Sequence, residues 1–148
     1  MEPFIAEELR SAGLRATQPR MTLLAALEAL PHTDADGLHK NLLPSFPRLS
    51  IQSVHNVLAD LTNAGLVRRI EPAGSPARYE RRVADNHHHV VCTSCGHIGD
   101  VDCVVGHAPC LTPSDGAGFS ITSAEITFWG LCATCQTTEN TISESREK

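Results

Sequence analysis

The sequence predicts an α+β chain in two parts, an N-terminal winged helix-turn-helix followed by a small α+β domain organised around a four-cysteine zinc site. Three observations predict it. Apolar residues recur at helical spacing up to residue 65, and an arginine-flanked Pro/Gly hairpin follows at once. The pattern then turns to strands, and two Cys-x-x-Cys pairs, Cys92/Cys95 and Cys132/Cys135, stand 36 residues apart within that region.

Residues 3–12 give a first short amphipathic helix. Thr17 as N-cap with Pro19 in the first turn opens a second, on which Leu23, Leu24, Leu27 and Leu30 repeat before Pro31 ends it. Asp34 can cap a third, carrying Leu38, Leu42 and Leu43, and Pro44 and Pro47 break the chain after it. Ser50 opens the clearest helix, where Ile51, Val54, Val57, Leu58 and Leu61 form one stripe and Gly65 is the stop. Gln52, Ser53, His55, Asn56 and Asp60 are left facing outward, a polar surface free to read a partner. The runs 66–70 and 77–80 flank the turn 72–76 and make a hairpin, the wing. From His87 strands are expected over 87–91, 97–101, 119–122 and 124–131, with Asp85-Asn86 as hinge and 103–118 as loop. The boundaries expected are therefore 1–84 for a winged-helix, DNA-binding part, 85–136 for the metal-binding part and 137–148 for a polar, disordered tail.

The net charge of −5 over 148 residues speaks against a nucleic-acid partner only if read globally. Residues 1–85 hold ten basic and ten acidic side chains, and residues 86–148 hold two and seven, so the acidity lies in the second part. Arg68, Arg69, Arg78, Arg81 and Arg82 against Glu71 and Glu80 leave a local positive excess on the wing, which suits a DNA-contacting edge. Ser53, His55 and Asn56 are the expected base or phosphate contacts, with Arg20, Arg68, Arg69 and Arg78 as further backbone contacts.

Paired thiols at Cys-x-x-Cys spacing are what a closed tetrahedral zinc site requires. Two disulfides would need an oxidising compartment, and with no signal peptide or apolar membrane run in the sequence a cytoplasmic protein holding structural Zn²⁺ is expected. A second constellation begins at His87-His88-His89. Strand alternation puts His87 and His89 on one face and His88 on the other. His32 and Glu80 from the first part, with Asp100 from the neighbouring strand, are the ligands that would complete it. Imidazole mixed with carboxylate suits Fe²⁺, Mn²⁺, Zn²⁺ or Ni²⁺, and ligand type alone does not choose among them. Such a site, filled, would hold the two parts in one orientation and so act as a sensor. Cys103 and Cys110, outside both pairs, are either small buried residues or redox-active thiols.

The stretches Gly13-Leu14-Arg15-Ala16-Thr17-Gln18-Pro19-Arg20, Ser50 to Leu58, Asn86-His87-His88-His89-Val90-Val91-Cys92-x-x-Cys95-Gly96 and Gly130-Leu131-Cys132-x-x-Cys135 together resemble the ferric uptake regulator family, over about residues 8–136. Gly99-Asp100-Val101-Asp102-Cys103 with Ala108-Pro109-Cys110-Leu111 further resembles the actinobacterial branch that represses catalase-type genes in response to peroxide. The resemblance implies a homodimeric, metal-dependent repressor of an inverted-repeat DNA operator, with a C-terminal dimerisation domain. It places sensing ligands on His32, Glu80, His87 and His89, and the peroxide branch's extra aspartate on Asp100. An iron- or zinc-uptake regulator of the same family is the alternative. His55-Asn56 stand where the family usually has Tyr-Arg, so the operator sequence does not carry over. Asn86 and Ala124 replace two ligands of a further metal site found in some members, leaving His88 alone. A metalloenzyme would need an open coordination position beside a general base, and a thiol oxidoreductase would need a βαβ context; neither motif is present.

Overall fold

The computed structural model describes residues 2–81, 83, 87–102, 115–122 and 124–138. The chain divides into two compact units, Met1–Asp85 and Asn86–Lys148, each described by itself. No helix among the described residues is long and apolar enough to cross a membrane.

The first unit contains α1 (Glu2–Ser11), α2 (Gln18–Ala29), α3 (Ala35–Leu42) and α4 (Ile51–Asn63), then the two-stranded wing β1 (Arg68–Ile70) and β2 (Arg78–Glu80). Its helix starts follow the expected chemistry in two cases. The Asp34 carboxylate accepts from the Gly37 N–H at 2.7 Å, and the Ser50 hydroxyl accepts from the Ser53 N–H at 3.1 Å. Thr17 is the N-cap of α2 by backbone conformation only, for its hydroxyl makes no capping bond, and Pro19 in the first turn pre-sets the helix instead. Gly65, at φ 74°, ends α4, and its N–H and that of Leu66 bond back to Thr62 and Leu61. The leucines of α2, α3 and α4 meet Ile5 and Leu9 of α1, Val67 and Tyr79 in one apolar cluster. Leu30 departs from the expected stripe: it caps α2 and is exposed.

β1 and β2 pair antiparallel with Arg68 opposite Glu80. An isolated bridge between Thr33 and Tyr79 ties the α2–α3 connection to the wing, and it holds His32 in the left-handed region at φ 63°. Ion pairs then lock the unit's outer elements. Arg20 on α2 donates to Asp60 on α4 at 2.7 Å and to the Arg15 carbonyl at 3.0 Å. Arg81 donates to Glu8 at 2.6 Å and to Glu28 at 3.1 Å. Arg20→Ala is therefore expected to cost about 1 kcal/mol, typical of a partly exposed pair, and to lower the first unit's unfolding midpoint by roughly 5 °C in thermal circular dichroism. An unchanged midpoint would mean that the α2–α4 pair contributes nothing.

The second unit is a three-stranded sheet with β3 (His87–Cys92) between β4 (Ile98–Asp102) and β5 (Thr127–Gly130). β4 runs antiparallel to β3 and β5 runs parallel. Two expectations need correction. Residues 119–122 form no strand: they follow a turn with Ala117 and Gly118 at positive φ, and they have no ladder partner among the described residues. The strand expected over 124–131 shortens to Thr127–Gly130, the residues that pair with His89–Cys92 of β3. Residues 133–138 are helical, so the expected tail does not begin at 137; residues 139–148 lie outside the described residues, as does 103–114 of the expected loop.

Candidate functional site

The four paired cysteines converge. Cys92 ends β3, and the turn after it closes with the Gly96 N–H bonding to the Cys92 carbonyl at 2.9 Å, a geometry that needs Gly96 at φ 76° and swings Cys95 back beside Cys92. β5 runs beside β3 so that Gly130 lies opposite Cys92, and the next turn delivers Cys132, whose N–H donates to the Cys92 sulfur at 3.4 Å. Cys135 comes from the first turn of the 133–138 helix. All four Sγ atoms lie within 4.8 Å of one another, and Cys95 and Cys132 are 3.8 Å apart.

A tetrahedron with Zn–S bonds of about 2.3 Å has edges of about 3.8 Å, so the donor set fits Zn²⁺ and is too open for disulfides. Electrostatics point the same way. The Cys132 backbone N–H, helped by that of Cys95, pulls the Cys92 thiol down to about 6 against the effect of burial. Cys135 is pushed up to about 12: the Ser94 hydroxyl favours its thiolate, but Cys132, desolvation, Cys95 and Cys92 together outweigh it. Cys92 thus gives up its proton readily, while Cys135 resists until a cation arrives to share the charge.

The histidine run forms a different set on the same sheet. His87 and His89 share a face of β3, their rings 4.8 Å apart at 74°. Across the antiparallel ladder, His89 faces Asp100, whose carboxylate lies 3.5 Å from His89 Nε2 and 3.7 Å from His87 Nε2. His88 points the other way, its ring edge-on to Phe128 at 6.3 Å. In the first unit, His32 Nε2 is 2.9 Å from the Glu80 carboxylate, which is buried at 1% exposure, and Arg68 approaches the same carboxylate at 4.0 Å. Each unit thus places imidazole beside carboxylate.

The residues expected to meet nucleic acid divide by behaviour. Ser53, His55 and Asn56 lie on the outer side of α4, with His55 and Asn56 exposed. The arginines are engaged: Arg20 with Asp60, Arg69 with Glu71, Arg68 near Glu80, and Arg78 with the Ser75 hydroxyl and the His32 carbonyl. The positive excess read from the wing's composition is therefore spent largely within the unit. Cys103 and Cys110 lie outside the described residues.

With that geometry in hand, the model of the ferric uptake regulator family matches residues 11–128. The chain belongs to the ferric uptake regulator family. It is 52% identical to the transcriptional regulator FurA of Mycobacterium tuberculosis over 141 residues, covering 95% of this chain and 96% of that one. It is 31% identical over 134 residues to the peroxide-responsive repressor PerR of Staphylococcus saprophyticus, covering 86% of each. Among solved structures, the ferric uptake regulator of Helicobacter pylori superposes with a TM-score of 0.70 at 20% identity over 92% of this chain and 94% of that one, a likeness of fold. Ferric uptake regulators are metal-responsive transcriptional regulators rather than enzymes, and they bind DNA and act as dimers.

Sequence reading missed several working side chains. His39 puts Nε2 2.7 Å from the Leu49 carbonyl, immediately before the cap of α4. Arg81, read as part of a DNA edge, fastens α1 and α2. Gln52 bonds Asn56 at 3.0 Å, a link that their i,i+4 spacing on a helix already permits.

Proposed function

We infer that this chain is a metal-dependent, peroxide-responsive repressor that binds an inverted-repeat operator as a homodimer in the cytoplasm and controls catalase-type oxidative-stress genes. The observation that carries the peroxide reading is Asp100, registered opposite His89 and within 4 Å of both His87 and His89 Nε2 atoms. It adds an oxygen donor where the resemblance places the peroxide branch's extra ligand, and oxygen among imidazoles suits Fe²⁺ or Mn²⁺.

The regulatory ligands proposed are His32 and Glu80 with His87, His89 and Asp100. Cys92, Cys95, Cys132 and Cys135 hold the structural Zn²⁺. A metal that takes ligands from both units favours one relative arrangement of them, and DNA binding selects the same arrangement. Fe²⁺, when bound, supplies the one-electron chemistry with peroxide that Zn²⁺ lacks. What the protein contributes is the group that is lost: the imidazoles of His87 and His89, or the zinc thiolates, which peroxide converts to sulfenic acid. Either loss removes ligands and releases the repressing form.

On the DNA side, the outer face of α4 with Ser53, His55 and Asn56 enters the major groove, and Arg20, Arg68, Arg69 and Arg78, already paired internally, are secondary contacts to phosphate. For the dimer, the support is the apolar surface of the second unit, where Phe119 and Ile121 are exposed, as are Phe128 and Trp129 on β5, whose outer edge is unpaired among the described residues.

The test uses anaerobic full-length protein loaded with either Fe²⁺ or Mn²⁺ and a duplex selected from a randomised pool. Equimolar peroxide is expected to abolish duplex binding by the Fe²⁺ form and spare the Mn²⁺ form. Loss from both forms would assign the sensor to the thiols, and loss from neither would leave the iron- or zinc-uptake reading in its place.

A further inference from the structure

Four polar side chains project from the first two turns of α4, and they are not equivalent. The Ser53 hydroxyl lies 2.9 Å from that of Ser50, within the helix cap. His55 borders a cavity of about 100 Å³ whose walls include Asp34, Asp36 and Tyr79, on the side of α3 and the wing. Gln52 and Asn56 remain, both exposed and bonded to each other, with Gln52 Nε2 donating to Asn56 Oδ1 at 3.0 Å.

That bond decides what Asn56 can offer. A free surface carboxamide turns over and shows its donor end or its acceptor end with equal ease. Here the Gln52 N–H occupies one lone pair of Oδ1 and favours the orientation that turns this oxygen toward Gln52. The second lone pair of Oδ1 and both N–H groups of Nδ2 stay open to an incoming partner. An acceptor and a donor side by side match one base edge in the major groove, the N6–H and N7 of adenine. A prearranged side chain also loses less rotamer freedom on binding.

We propose that Gln52 is a positioning residue for base recognition, its amide N–H holding the Asn56 carboxamide in register with one adenine in each operator half-site. This rests on the reading of α4 as the groove-entering helix and goes beyond it by naming the base and the residue that fixes it. Gln52 itself touches no base in this arrangement.

The experiment selects duplexes from a randomised pool with full-length, zinc- and Mn²⁺-loaded wild-type protein, then measures affinity for each single base-pair change in the enriched sequence. Asn56→Ala should lose discrimination, roughly 5- to 150-fold, at one base pair per half-site, and that pair should carry adenine. Gln52→Ala should reduce discrimination by roughly 2- to 10-fold at the same pair and nowhere else. The double variant should match Asn56→Ala alone, because Gln52 acts only through Asn56. Gln52→Met, which keeps the length and removes the donor, should behave as Gln52→Ala. Both side chains are exposed, so folding is expected to survive each change. Full discrimination retained by Gln52→Met, an effect of Gln52→Ala at a different pair, or a guanine at the Asn56 position would each overturn the proposal. If the wild type enriched no inverted repeat, the groove-entering role of α4 would fall first.

Discussion

Replacing Cys132 with Ser will strip Zn²⁺ from the second unit and unfold it, and the dimer will go with it. Among the described residues, that unit buries only Val91, Cys92 and Ile98 as apolar side chains. At about 2 kcal/mol each they supply roughly 6 kcal/mol. A structural zinc in a small domain supplies on the order of 10 kcal/mol or more, so the metal is the larger stabilising term. The first unit, with its continuous leucine cluster, should stay folded. Zinc analysis, circular dichroism and sedimentation of the variant check this together. A folded, zinc-free dimer would remove the structural role assigned to the four thiols.

Removing His89 should have the opposite profile: zinc, fold and dimer intact, metal response gone. Turning a population from 1:99 inactive to 99:1 active takes a preference of about 5.5 kcal/mol, on the order of 10⁴-fold. One imidazole cannot provide that, but the five ligands proposed could together, and deleting one of them should bring the metal-induced gain in operator affinity close to unity. His88→Ala is the matched control. His88 is on the opposite face of β3 against Phe128, so its loss should affect packing rather than metal response. Operator affinity measured with and without Mn²⁺ reads both variants. A His89→Ala protein that still gains affinity with Mn²⁺ would exclude His89 as a ligand.

Features fixed by local chemistry were legible in the sequence. The caps at Asp34 and Ser50 need only a side chain three residues from an orphan N–H, and the Cys-x-x-Cys knuckles carry their own geometry. The His87/His89 face follows from strand alternation, and its partner Asp100 from the antiparallel register. What the sequence concealed depends on long-range pairing. Arg81 and Arg20 look like DNA-contacting side chains until tertiary structure brings Glu8 and Glu28 to Arg81, and Asp60 to Arg20, across separations of 73, 53 and 40 residues. Residues 119–122 alternate as a strand should, yet a strand exists only where a neighbour offers its backbone. Nothing in the local sequence of His39 announces that the Leu49 carbonyl returns to it.

If metal and DNA select the same arrangement of the two units, each must tighten the other by an equal factor. The direct measurement is the Mn²⁺ dissociation constant of anaerobic, zinc-loaded full-length protein, taken with and without a saturating selected duplex. The expected result is that DNA tightens Mn²⁺ binding by the same factor by which Mn²⁺ tightens DNA binding, roughly 5- to 150-fold, and that His89→Ala abolishes both. Equal Mn²⁺ affinity in the presence and absence of DNA would contradict a sensor whose ligands are shared between the two units.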